Sequence, residues 1–137
     1  MQAVPHSLEI EQAVLACALL DPTLARRAVE EVQEADFYAD RHRLIWTGMA
    51  RALGTGGKVD LVTVVAALEG MGSIAEAGGP AYVATLGSEY MPDPGAFDSY
   101  VANLREWRLR RELIAASQRL IRAASSEDAP ADVLAAA

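Results

Sequence analysis

Cysteine is nearly absent from this chain. Cys17 stands alone among 137 residues, so no disulfide can close within it, and a reducing cytoplasm fits. Aromatic residues make up 6% of the sequence and there are two histidines, His6 and His42, too few for the usual zinc ligand sets. No uncharged apolar run is long enough to cross a bilayer, which argues against a membrane partner. The acidic start lacks the basic-then-apolar order of a secretory leader. Nowhere does a Val/Ile/Thr/Tyr-rich run alternate between turn signals, so strands are not expected.

What is present is 52% hydrophobic, enough for the core of one domain or of one domain with an appendage. Abundant alanine favours helices packed closely through small side chains. The net charge of −7 is uneven: the segment 97–124 carries six arginines against three acids, +3, and the remainder totals −10. A general nucleic-acid binder would be positive overall. A basic helix after an acidic body suits an acidic neighbour better.

The first helix is the clearest. Ser7 can cap it, Glu9 and Glu11 sit where the helix dipole favours negative charge, and Leu8, Gln12, Leu15 and Leu19 recur at helical spacing. Asp21-Pro22 ends it. Further helices are expected over 24–32, 40–53, 61–71 and 81–89, with Gly54 and Gly72 as stops and Asp60 as a cap. Met91-Pro92-Asp93-Pro94-Gly95 is a boundary that no helix crosses. The longest helix follows, 96–124, and carries a wide apolar band that includes Phe97, Val101, Leu104, Leu113, Ile114, Leu120 and Ile121. Residues 132–135 begin a return helix. The expected fold is all-α: a compact multi-helix globule over residues 1–91, then a helical hairpin over 92–137 whose second arm is cut short.

Catalytic chemistry finds little support. Gly54-Thr55-Gly56-Gly57-Lys58-Val59 looks superficially like a phosphate loop, but the first glycine of that motif would fall on Ala52 and its Ser/Thr on Val59. It is also expected to leave a helix where a phosphate loop leaves a strand. Cys17 and His42 read as core or capping residues. The pairs Glu9/Glu11 and Glu30/Glu31 read as solvated helix faces away from any histidine. No catalytic residue, metal or cofactor is expected. Trp107, Arg108, Arg111 and Arg119 read as exposed anchors for a partner, in preference to a phosphate-gripping row.

Five segments in order resemble the N-terminal domain of bacterial or phage replicative helicases of the DnaB family. They are 5–22; Asp36-Phe37-Tyr38 with His42-Arg43-Leu44-Ile45; 59–64; Gly78-Gly79-x-Ala81-Tyr82; and Tyr100-x3-Leu104-x5-Arg110-Arg111-x-Leu113-Ile114. The resemblance implies a non-catalytic collar domain whose hairpins pair into dimers within a hexamer and whose surface docks primase. A helicase loader is a further implied partner. ATP, magnesium and most DNA contact would belong to a motor domain not contained in these residues. The residues that would pair are Phe97, Val101, Leu104, Leu113, Ile114, Leu120 and Ile121. Where many relatives carry Lys within a Glu-Lys pair, this chain has Trp107. Two other readings are a primase's helicase-binding domain, against which the opening and 59–64 argue, and an auxiliary module guiding single-stranded DNA.

Overall fold

A computed structural model describes residues 4–136. Seven helices form among them: α1 (Leu8–Leu20), α2 (Pro22–Glu31), α3 (Asp40–Gly54), α4 (Leu61–Gly70), α5 (Gly79–Ser88), α6 (Phe97–Ala124) and α7 (Pro130–Ala135). Short 3-10 turns occupy Glu34–Asp36 and Pro94–Ala96, and no strand is present among the described residues. The all-α expectation holds.

The core is organised around α1, which α2, α3, α5 and α6 all contact. From Glu11 to Leu19 only Ala13 is not buried. Ala16, Cys17 and Ala18 let neighbours approach closely on sides that larger residues would hold apart. Burial pushes the Cys17 thiol up to about 11, helped by Asp93 and Asp21, so it is an inert core thiol. Ser7 caps α1 through the N–H of Ile10. Asp21 closes α1 with its own N–H on the carbonyl of Cys17 and opens α2 with its carboxylate on the N–H of Thr23. Pro22 then sits at the first position of α2, where a missing N–H costs nothing.

The second layer is built by close approach. At Gly48 an added Cβ would stand 3.1 Å from Leu68 Cγ, so the absence of a side chain lets α3 and α4 meet. Asp60 and Thr63 cap α4 reciprocally. Gly78 has φ +99°, and a Cβ there would lie 2.9 Å from the Tyr82 side chain. The left-handed backbone and the tyrosine both require glycine at that point.

Helix α6 enters this core and then leaves it. Phe97, Val101 and Leu104 are buried within the chain and pack against the helices of the globule. They were expected to face another protomer, so that expectation is corrected: the globule itself covers three of the seven. The apolar band is wide because it serves two neighbours in succession, and a band's width does not say which neighbour covers which turn. After Ala124 the chain turns, and α7 lies back along the last turns of α6.

This placement separates two classes of substitution. Leu104→Ala is expected to destabilise the isolated chain by about 2–5 kcal/mol, the usual result of emptying a buried leucine site. Urea unfolding would report it as a lower midpoint with no change in molecular mass. A midpoint equal to the parent's would return Leu104 to the surface.

Candidate assembly surface

Beyond Leu104 the exposure of α6 reverses. Leu109 (56%), Leu113 (69%) and Ile121 (67%) stand in solvent, with Ile114 and Leu120 at the lower edge of exposure. Residues 109, 113, 116 and 120 alternate four- and three-residue steps, while 107, 114 and 121 recur every seven. Two apolar seams therefore run along the free arm on different sides. A groove of about 520 Å³ lies beside the first, between Ala116, Leu120 and Ala123 of α6 and Val133 of α7, with Arg119 on its wall. Of the residues expected to pair, Leu113, Ile114, Leu120 and Ile121 are the ones left uncovered.

The expected docking residues divide in a similar way. Trp107 is half-buried, with the Arg110 guanidinium 5.5 Å from its ring centre, and Arg119 is exposed. Arg108 and Arg111 are not free anchors. Arg108 Nε lies 3.0 Å from Oδ1 of the buried Asp36, and its Nη1 donates to Gln33 Oε1 at 3.0 Å. Arg111 donates to the carbonyls of Pro5 (3.0 Å), Ala35 (3.3 Å) and Asp36 (3.0 Å). Desolvation lowers its pKa below the ordinary arginine value. The expectation that both project outward is corrected: the buried Asp36 carboxylate and the Gln33 side chain hold Arg108, and backbone carbonyls that lack other donors draw Arg111 inward.

A buried polar network went unrecognised in the sequence. Glu11 is 1% exposed and His42 is completely buried. Glu11 accepts from the N–H groups of Tyr38 (2.8 Å) and Ala39 (3.2 Å) and from His42 Nδ1 (2.7 Å). His42 Nε2 shares a 2.6 Å hydrogen bond with the Tyr82 hydroxyl, which also accepts from Gln12 Nε2. Glu11 is thus neither solvated nor far from a histidine, contrary to the sequence reading. The usable signal was its register: Glu11 falls four and seven residues before Leu15 and Ala18, and His42 three and seven before Ile45 and Met49. The Lys58 loop joins α3 to α4 with Lys58 exposed, as a helix connection and not as a strand-to-helix phosphate cradle.

Burial alone raises the Glu11 pKa, but the hydrogen bonds from His42, Tyr38 and Ala39 and the charge of His42 bring it below the ordinary value. A carboxyl depressed in the folded state stabilises the fold above its unfolded pKa of about 4.3, and that contribution is lost as pH falls through the folded value. Glu11→Gln is expected to cost on the order of 3 kcal/mol at pH 7, as when one partner of a buried pair is removed. The difference from the parent should shrink below about pH 4. Urea unfolding at neutral and acid pH checks it, and a constant gap would contradict the assignment.

A sequence profile of the DnaB-like helicase N-terminal domain matches residues 3–106. The chain belongs to this family. It is 38% identical over 116 residues to the replicative DNA helicase DnaB of Haemophilus influenzae, covering 85% of this chain and 25% of that protein. To the Geobacillus stearothermophilus DnaB it is 33% identical over 130 residues, covering 95% and 28%. This DnaB-like N-terminal domain therefore spans about a quarter of the length of the curated relatives it matches. The N-terminal domain of DnaB helicase from Mycobacterium tuberculosis superposes with a TM-score of 0.87 at 28% identity, over 96% of this chain and 93% of that one. A DnaB-like replicative helicase, from a structure describing its interactions with primase, shares the fold with a TM-score of 0.73 at 22% identity, over 85% and 27%.

Proposed function

We propose that this domain is the non-catalytic assembly and docking element of a replicative DNA helicase. In this reading the outer half of α6 pairs with a second copy, such pairs build the collar of a hexamer, and the collar receives primase. The observation that carries it is the arm itself. Over its last turns α6 keeps Leu113, Ile114 and Ile121 exposed, while none of the described hydrogen bonds beyond Arg111 joins α6 to the globule. A helix with apolar residues on two sides is stable when other helices cover it. Removing side chains of this size from water is worth about 1.5–3 kcal/mol each when complete. Membership in a family of replicative helicases supplies the context.

Primase docking is assigned to the outer collar around Trp107 and Arg119, now without Arg108 and Arg111, whose guanidinium groups are held inside the chain. In the same reading a helicase loader is a further occupant of the collar. ATP and magnesium belong to a motor domain, and DNA is engaged mainly there. The domain works in the cytoplasm, and no described helix is long and apolar enough to cross a membrane.

Self-association is tested by Leu113→Asp/Ile121→Asp, followed by light scattering. The parent is expected to exceed the monomer mass, and the variant to return to it with helical content unchanged. A parent that remains monomeric at high concentration would overturn the pairing. Separately, magnesium-ATP is expected to leave the thermal midpoint of this domain unchanged, because the loop around Lys58 offers no cradle for phosphates. A rise that disappears in Lys58→Ala would show otherwise.

A further inference from the structure

We propose that Arg105, Arg108 and Arg111 form a polar brace that sets the direction in which the free arm of α6 leaves the globule. They are positioning residues for the assembly surface. Their purpose rests on the assembly reading; their geometry does not.

The apolar attachment of α6 ends at Leu104, its last buried residue. Four and seven residues on, the same helix face carries Arg108 and Arg111, with Arg105 beside it. The family profile also stops at this point, at residue 106. Arg105 donates to the carbonyl of Glu31, the last residue of α2. Arg111 takes the carbonyls of Ala35 and Asp36 in the following 3-10 turn, together with that of Pro5. Carbonyls at the ends of helical segments lack intrahelical donors, and a planar guanidinium can satisfy two or more at once. One short span, 31–36, is thereby fastened to two turns of α6 from outside.

At the centre of the brace lies an ion pair. Oδ2 of the buried Asp36 accepts from Gln33 N at 2.7 Å. Its Oδ1 faces Arg108 Nε at 3.0 Å, yet neither of these two buried atoms has an aligned hydrogen-bond partner among the described residues. Charge holds these two atoms together, and the Arg108 guanidinium takes its direction from the Nη1 hydrogen bond to Gln33 Oε1. From Leu104 to Ala124 the helix runs for about 30 Å, so a swing of roughly 10° at its base displaces the tip by about 5 Å. Polar contacts to a short span thus decide where the apolar seams meet a partner. Without them the pivot retreats to Leu104.

Pairs of spin labels on Thr55→Cys and Gln118→Cys, both exposed positions, would read the arm directly, with Cys17 buried and unlabelled. The measurement is made in the Leu113→Asp/Ile121→Asp background, so the arm is observed without a partner. Failure of the assembly reading would not alter it. The braced chain is expected to give one narrow distance distribution. Arg108→Ala/Arg111→Ala is expected to widen it at least twofold while the circular dichroism spectrum is retained. Arg111→Lys, which can hold one carbonyl but not the whole set, should fall between. Equal widths in the braced chain and the double variant would overturn the brace. Should the double variant not fold, Arg111→Gln is read in the same way: a broadened distribution supports the brace and an unchanged one rejects it.

Discussion

Enclosing α1 on nearly every side is the constraint from which the rest of the molecule follows. A helix surrounded by four others needs small residues where the approach is closest, which Ala16, Cys17 and Ala18 supply. It also has to place its one buried carboxylate. A charge withdrawn from water is tolerated when it is hydrogen-bonded and paired, and both oxygens of Glu11 are engaged, by two backbone N–H groups and an imidazole. Those partners lie on the turn before α3 and on α3 itself, and His42 passes the link to Tyr82 on α5. The same requirement explains Gly78, whose bare Cα admits the Tyr82 side chain. Packing and polar satisfaction are one problem here, solved around one helix.

Helix α6 shows how a single secondary-structure element can belong to two environments. Its first turns are core, its middle turns are held by guanidinium–carbonyl contacts, and its last turns carry apolar side chains into solvent. The chemical sequence apolar, cationic, apolar divides the helix by neighbour and not by conformation, since its backbone is helical throughout. In the proposed assembly the outer turns are the part of α6 left for a partner, since no described hydrogen bond beyond Arg111 ties them to the globule.

The helices were legible because their punctuation is local. Ser7, Asp21-Pro22, Asp60, Gly72 and the proline pair at 92 and 94 each act within a few residues, and the fold class follows from them; Gly54, expected as a left-handed stop, is instead the last residue of α3, and the positive φ falls on Gly56. What was not legible depended on distant partners. Periodicity identified a wide apolar band on α6 but not that Phe97, Val101 and Leu104 would find their neighbours inside the same chain. Arg108 and Arg111 looked like exposed anchors because the Gln33 side chain and the Asp36 carbonyl that claim them lie 75 positions earlier. Glu11 looked like a helix-dipole acid because His42, 31 residues away, has no local signature. In each case residue type was read correctly as polar or apolar, and the error lay in the neighbour assigned: a second protomer for Phe97, Val101 and Leu104, a partner for Arg108 and Arg111, and water for Glu11.

Asp21 gives the globule a further property. Its backbone N–H finishes one helix while its carboxylate begins the next, so a single residue sits in the hydrogen-bond ladders of both. Neither helix can fray at this corner without loosening the other. The rigid corner carries the buried faces of α1 and α2 as one preassembled wedge. A bond lost at Asp21 is therefore felt at once by the most buried helix of the molecule and by its chain neighbour.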